Sequence, residues 1–243
     1  MATKPVFKRV LLKLSGEMLK GPSGYGIDPE ATLVAARRIQ EAVKRGVQVA
    51  IIIGAGNLFR GLAGSRRGMD RSTADNMGML ATAMNALAMR DALESIGVAA
   101  EIQSAFAISG ILKPFDQREA VRLLEQGKVV LFAAGTGHPY FTTDTTAALR
   151  ACEIHADAVF KGTKVNGIYT ADPMKDPNAK RYEKITFADA LAQRLNVMDS
   201  TAFSLCQDNN LKIIVFKFGE EGVLGNIMDG DLSAATLVTN QPQ

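Results

Sequence analysis

Val47-Gln48-Val49-Ala50-Ile51-Ile52-Ile53-Gly54-Ala55-Gly56-Asn57 runs almost without interruption from apolar, β-branched residues into a glycine-rich loop. A run this short, ended by glycines, reads as a strand buried on both faces, the habit of parallel sheets. The pattern recurs, so strands are expected at 9–14, 47–53, 98–104, 129–134, 158–161 and 212–216. Amphipathic spacing between them predicts helices at 29–44, about 74–94, 117–126 and 143–155, with shorter ones at 187–194 and 201–209. Alternation of this kind builds βαβ units: a parallel sheet covered by helices.

A length of 243 residues leaves one domain or two lobes open, and 47% hydrophobic with 22% charged residues is enough for a sizeable core. No repeat or Pro/Ser-rich linker divides the chain. The expectation is one domain over 1–243, with any lobes following the sheet at a seam near 153–156, about 1–153 and 154–243. The longest apolar runs fall far short of the roughly 20 residues a bilayer span requires. The first residues lead into a strand without a secretory apolar core, so a cytoplasmic location is expected. Cys152 and Cys206 both fall in helical patterns and read as core thiols. His138 and His155 have no partners at metal-ligand spacing, which disfavours metalloprotease and triad chemistry. With 28 basic and 25 acidic residues the net charge of +3 is too balanced to argue for nucleic acid, although Arg60, Arg66, Arg67 and Arg71 cluster.

Ligands of open parallel sheets bind beyond the carboxyl ends of the strands. Here those positions read Ser15-Gly16, Gly54-Ala55-Gly56-Asn57, Gly135-Thr136-Gly137-His138 and Gly162-Thr163-Lys164. Small residues let backbone N–H groups approach phosphate oxygens, and a following helix adds its positive end. Phe59 breaks the dinucleotide fingerprint, and no G-x-x-x-x-G-K-[ST] occurs. Phosphoryl transfer needs cations on the moving charge more than covalent help. Lys13 stands in the apolar strand Val10-Leu11-Leu12-Lys13-Leu14, an uncomfortable place for a structural lysine. Arg60 offers a planar fork that suits phosphate. Asp144 opens a helix after Thr142 and Thr143, a position that a plain helix start would also explain. Asp172 before Pro173 also fits a turn.

The ordered motifs 13–17, 54–61, 75–79, 135–144 and 163–173 resemble those of the bacterial uridylate kinases (UMP kinases) of the amino-acid kinase superfamily, over about residues 8–237. The resemblance implies an α/β/α sandwich with a mostly parallel central sheet, a homohexamer, and transfer of the ATP γ-phosphoryl group to UMP with Mg²⁺. It implies ATP contacts at Lys13, Leu14, Ser15, Gly16, Gly56, Arg60, Thr163, Asn166, Tyr169 and Asp172. UMP contacts would be Ala55, Asp75 and the stretch Thr136, Gly137, His138, Pro139, Tyr140, Phe141, Thr142 and Thr143. The catalytic set implied is Lys13, Arg60 and Asp144, the Asp organising the lysines; no residue is assigned as a metal ligand. Gly21, Pro22, Ser23, Gly24, Tyr25 and Gly26 match the stretch linked in the family to GTP activation, and UTP inhibition belongs to the same regulation. The sequence departs from the family at Ala55, where glycine is common, at His138, where asparagine is, and at Asn166, where aspartate is. Glu94 and Glu101 put negative charge where an anionic effector favours basic residues. The rival readings are a superfamily kinase for a carboxylate or carbamate, and a nucleotide-binding regulatory or DNA-associated protein.

Overall fold

The computed structural model describes residues 5–59, 68–195 and 197–241. The strands are β1 (Arg9–Leu14), β2 (Gln48–Ile53), β3 (Ala100–Ser104), β4 (Lys113–Pro114), β5 (Val129–Ala133), β6 (Ala158–Thr163), β7 (Ile168–Tyr169), β8 (Arg181–Tyr182), β9 (Lys184–Thr186), β10 (Lys212–Lys217) and β11 (Ala235–Thr239). The α-helices are α1 (Pro29–Val43), α2 (Arg71–Ser95), α3 (Gln117–Glu125), α4 (Thr143–Glu153), α5 (Phe187–Ala192), α6 (Ser200–Asp208) and α7 (Val223–Met228), with a 3₁₀ turn at Gly16–Leu19. Nine strands form one sheet in the order β4-β3-β5-β2-β1-β6-β10-β11-β9, parallel at every step except β10 against β11. The sheet therefore runs unbroken across the expected seam, through β1 paired with β6.

Alternation along the strands divides the apolar residues into two layers. Val10, Leu12 and Leu14 of β1 join Ile51 and Ile53 of β2 and the buried faces of α1, α2 and α7. Leu11 joins Ala50 and Ile52 with the buried faces of α3, α4, α5 and α6. Two cores on one sheet make the expected three-layer α/β/α sandwich. Lys13 and Lys161 occupy the parity of Leu11 and Val159, so both belong to the face that α4 covers.

Differences from the sequence reading have local causes. The strand expected to reach 134 stops at Ala133, because Ala134 and Gly135 turn left-handed at φ 60° and 58°. The helix expected over 143–155 ends at Glu153, where His155 is left-handed at φ 54°. The long helix α2 starts three residues before 74, capped by Asp70, whose carboxylate accepts from the Thr73 N–H at 2.8 Å. Strand β6 continues past 161 to Thr163. Strands β4, β7, β8, β9 and β11 and helix α7 were not expected: most are too short to show a period, and β11 is rich in Thr and Ala. Among the described residues no helix is long and apolar enough to cross a membrane.

Candidate active site

The carboxyl ends of β1 and β6 put Lys13 and Lys161 side by side, as Cα partners in register. Helix α4 begins opposite them because Thr142 caps it, its hydroxyl accepting from the N–H groups of Asp144 and Thr145 at 3.0 and 3.2 Å. This places Asp144 in the first turn, near the positive end of the helix. The Asp144 carboxylate is shared: Oδ1 lies 2.8 Å from Lys13 Nζ, and Oδ2 accepts from Lys161 Nζ at 2.8 Å. Lys161 Nζ also donates to the Val197 carbonyl at 2.5 Å. The side chains of Lys13, Lys161 and Asp144 are only 14%, 17% and 14% exposed.

Burial pushes the Asp144 carboxyl up, but the charges of Lys13 and Lys161 outweigh it, and the group stays below the ordinary aspartate range. Burial, joined by the charge of Lys13, moves Lys161 the other way, below the ordinary lysine range, against the pull of Asp144. Two ammoniums and one carboxylate leave a single surplus positive charge in a sparsely solvated place. That arrangement suits charge passing between phosphates and needs no nucleophile from the protein.

Two clefts flank the cluster. One is lined by Ala55, Phe59, Asp75, Gly78, Met79, Gly135, Thr136, His138, Phe141, Thr142 and Thr143. Seven residues of the UMP set meet here: Ala55, Asp75, Thr136, His138, Phe141, Thr142 and Thr143. The other three, Gly137, Pro139 and Tyr140, belong to the same loop without lining the cleft; the Tyr140 N–H donates to Asp75 Oδ2 at 2.7 Å, which Arg71 Nε also reaches at 2.7 Å. The second cleft is lined by Lys161, Thr163, Gly167, Tyr169, Asp172, Arg194 and Val197 among others. Thr163, Tyr169 and Asp172 of the ATP set line it, and the Tyr169 hydroxyl donates to Asn166 Oδ1.

The rest of the ATP set lies elsewhere. The Leu14 side chain is buried in the core, and its carbonyl accepts from the Gly54 N–H at 2.9 Å. Ser15 lines a neighbouring hollow with Met18, Val34, Arg38 and Phe218, and Thr163 lines both this hollow and the second cleft. Gly16 abuts the second loop so closely that a Cβ there would come within 2.2 Å of the Gly54 carbonyl oxygen. Gly56 belongs to that second loop, whereas Arg60, like Arg66 and Arg67, lies outside the described residues. The segment 21–26 turns through left-handed glycines at 21, 24 and 26 and reaches the second loop at Gly26, whose N–H donates to the Asn57 carbonyl at 3.0 Å.

Sequence reasoning missed Lys161 and Asp199. Lys161 carried the same signal as Lys13, a lysine closing the apolar run Ala158-Val159-Phe160. Asp199 caps α6, accepting from the Ala202 N–H at 3.0 Å, and also accepts from the hydroxyls of Thr142 and Thr145. Nothing in its neighbourhood along the chain marks it, since those threonines are more than 50 residues away.

A parallel sheet with glycine loops, two clefts and a lysine–aspartate–lysine cluster at its carboxyl edge defines a phosphotransferase that brings two ligands to one cationic centre. The Amino acid kinase family model matches residues 8–217, and the chain belongs to that family. Within it, the chain is 54% identical over 224 residues to a uridylate kinase of Saccharophagus degradans, covering 92% of this chain and 91% of that one. It superposes on the crystal structure of UMP kinase from Bacillus anthracis with a TM-score of 0.92 at 35% identity, covering 97% of both chains. It is similar to UMP kinase from Ureaplasma parvum with a TM-score of 0.89 at 37% identity, over 96% of this chain and 98% of that one.

Proposed function

We propose that this enzyme transfers the γ-phosphoryl group of ATP to UMP, giving ADP and UDP for pyrimidine nucleotide synthesis. The observation that carries the reading is the Asp144 carboxylate held between Lys13 and Lys161, with a cleft on either side. UMP occupies the cleft of Asp75 and Thr136–143, and ATP that of Thr163, Tyr169 and Asp172. Lys13 and Lys161 stabilise the charge that moves between the phosphates, and Asp144 holds their spacing. Mg²⁺ enters on the ATP phosphates; this fits the commitment of Asp144 to two ammoniums. Arg60 completes the cationic set.

The reading extends to a single domain in a cytoplasmic homohexamer, inhibited by UTP and activated by GTP through residues 21–26. Self-association is supported by Met77, Leu80 and Met84, exposed at 40%, 49% and 54% at helical spacing on α2. The deciding experiment is coupled ADP release with ATP·Mg²⁺ and, in turn, UMP, CMP, dUMP, acetylglutamate, aspartate and carbamate. Turnover is expected with UMP. No turnover with UMP alongside turnover of a carboxylate or carbamate would transfer the assignment to another branch of the family.

A further inference from the structure

Midway along α2, among buried Ala, Met, Thr and Leu side chains, stands Asn85, fully buried; facing it is Asn57, 2% exposed. A buried amide is costly unless its groups are paired, and here every side-chain donor is used. Asn57 Nδ2 donates to Asn85 Oδ1 at 2.9 Å, and Asn85 Nδ2 donates back to Asn57 Oδ1 at 2.8 Å. The remaining hydrogens go outward in opposite directions: Asn85 Nδ2 to the Gly54 carbonyl at 2.8 Å, and Asn57 Nδ2 to the Gly26 carbonyl at 2.8 Å. Gly26 is gripped twice, because its N–H also donates to the Asn57 carbonyl at 3.0 Å. A Cβ on Gly16 would lie 2.3 Å from Asn57 Oδ1 and 3.0 Å from Asn85 Nδ2.

The closed amide pair thus touches the loop after β1, the loop after β2, the middle of α2 and the end of segment 21–26. The geometry points to Asn57 and Asn85 as positioning residues that fix the loop after β2 against the loop after β1 and fasten segment 21–26 to the same backbone. This inference rests on the reading of those loops as phosphate-binding. Neither residue touches a ligand in this scheme. Their effect passes through the Gly54 carbonyl, where a displacement of about 1 Å is enough to cost about a hundredfold in rate.

The test compares kcat and KM for ATP and UMP in the wild type, Asn57→Ala, Asn85→Ala and the double variant, each checked for a cooperative thermal transition above the assay temperature. Both single variants should lose about tenfold or more in kcat with KM changed less than about threefold, and the double variant should be little worse than either single one. Folded variants with wild-type kcat, lowered only in stability, would reduce the pair to a packing feature. Hydrogen exchange of the wild type with UMP or ATP·Mg²⁺ requires no folded variant. Nucleotide should slow exchange at Gly26 together with Leu58 and Phe59, and slowing confined to Leu58 and Phe59 would overturn the link to 21–26. An active wild type with unaffected variants refutes the pair alone; an inactive wild type refutes the reaction, and exchange at Gly26 still decides the link.

Discussion

Lys161 and Lys13 are neighbours on adjacent strands, each within reach of one oxygen of Asp144, so removing either ammonium removes half of the cationic pair. Lys161→Ala is expected to lower kcat by about a hundredfold or more while leaving the fold intact, a size typical of a lost electrostatic group. Steady-state rates beside a circular dichroism spectrum measure this, and a folded variant at wild-type rate removes Lys161 from the catalytic set. Asp144 also makes a pH prediction. Its pKa is lower folded than the 3.8 of an isolated carboxyl, so the unfolded chain takes up the proton first as pH falls. The stabilisation it adds is complete above that value and disappears as pH drops through the folded one. Urea titrations between pH 5 and 2 should therefore show a shallower loss of stability in Asp144→Asn than in the wild type. Lys13 was legible in the sequence because a lysine inside an apolar strand needs an explanation. Lys161 gave the same signal one strand further on, but it closed its run and was read as a strand end.

The helices are aimed by their first residues. Asp199 holds two of them: it caps α6 and takes the hydroxyls of Thr142 and Thr145, the residues that open α4. Asp199→Ala leaves α6 uncapped and two hydroxyls without their acceptor, and should cost about 1–3 kcal/mol, read as a lower urea midpoint at unchanged m. An unchanged midpoint would mean that water replaces the carboxylate without loss. Strands buried on both faces, such as β1 and β2, were readable from composition alone, and their boundaries agree within a residue. Strands β9 and β11 were not: β9 is three residues long, and the threonines of β11 break its apolar run. The capping role of Thr142 was visible from its neighbours along the chain, whereas its bond to Asp199, 57 residues away, was not.

At the scale of the molecule, one sheet carries both clefts, and its outer helix α2 presents Met77, Leu80 and Met84 to solvent. Met84→Glu should shift light-scattering mass toward smaller species, because a charge in a self-association surface is costly to desolvate. An unchanged mass would move the interface to another face. Cys206 is the opposite case: burial pushes its thiol up to about 12, and Cys152, half-buried, is raised too. Neither thiol is poised for redox chemistry. The carboxylate bridging two ammoniums has one more consequence. It favours no particular owner of the phosphoryl group, since Lys161 lines the second cleft while Asp144 directly follows Thr143 of the first, so the cluster joins the two. By microscopic reversibility the same residues must serve the back reaction from the diphosphates, and the direction of net flux is left to the concentrations of the four nucleotides.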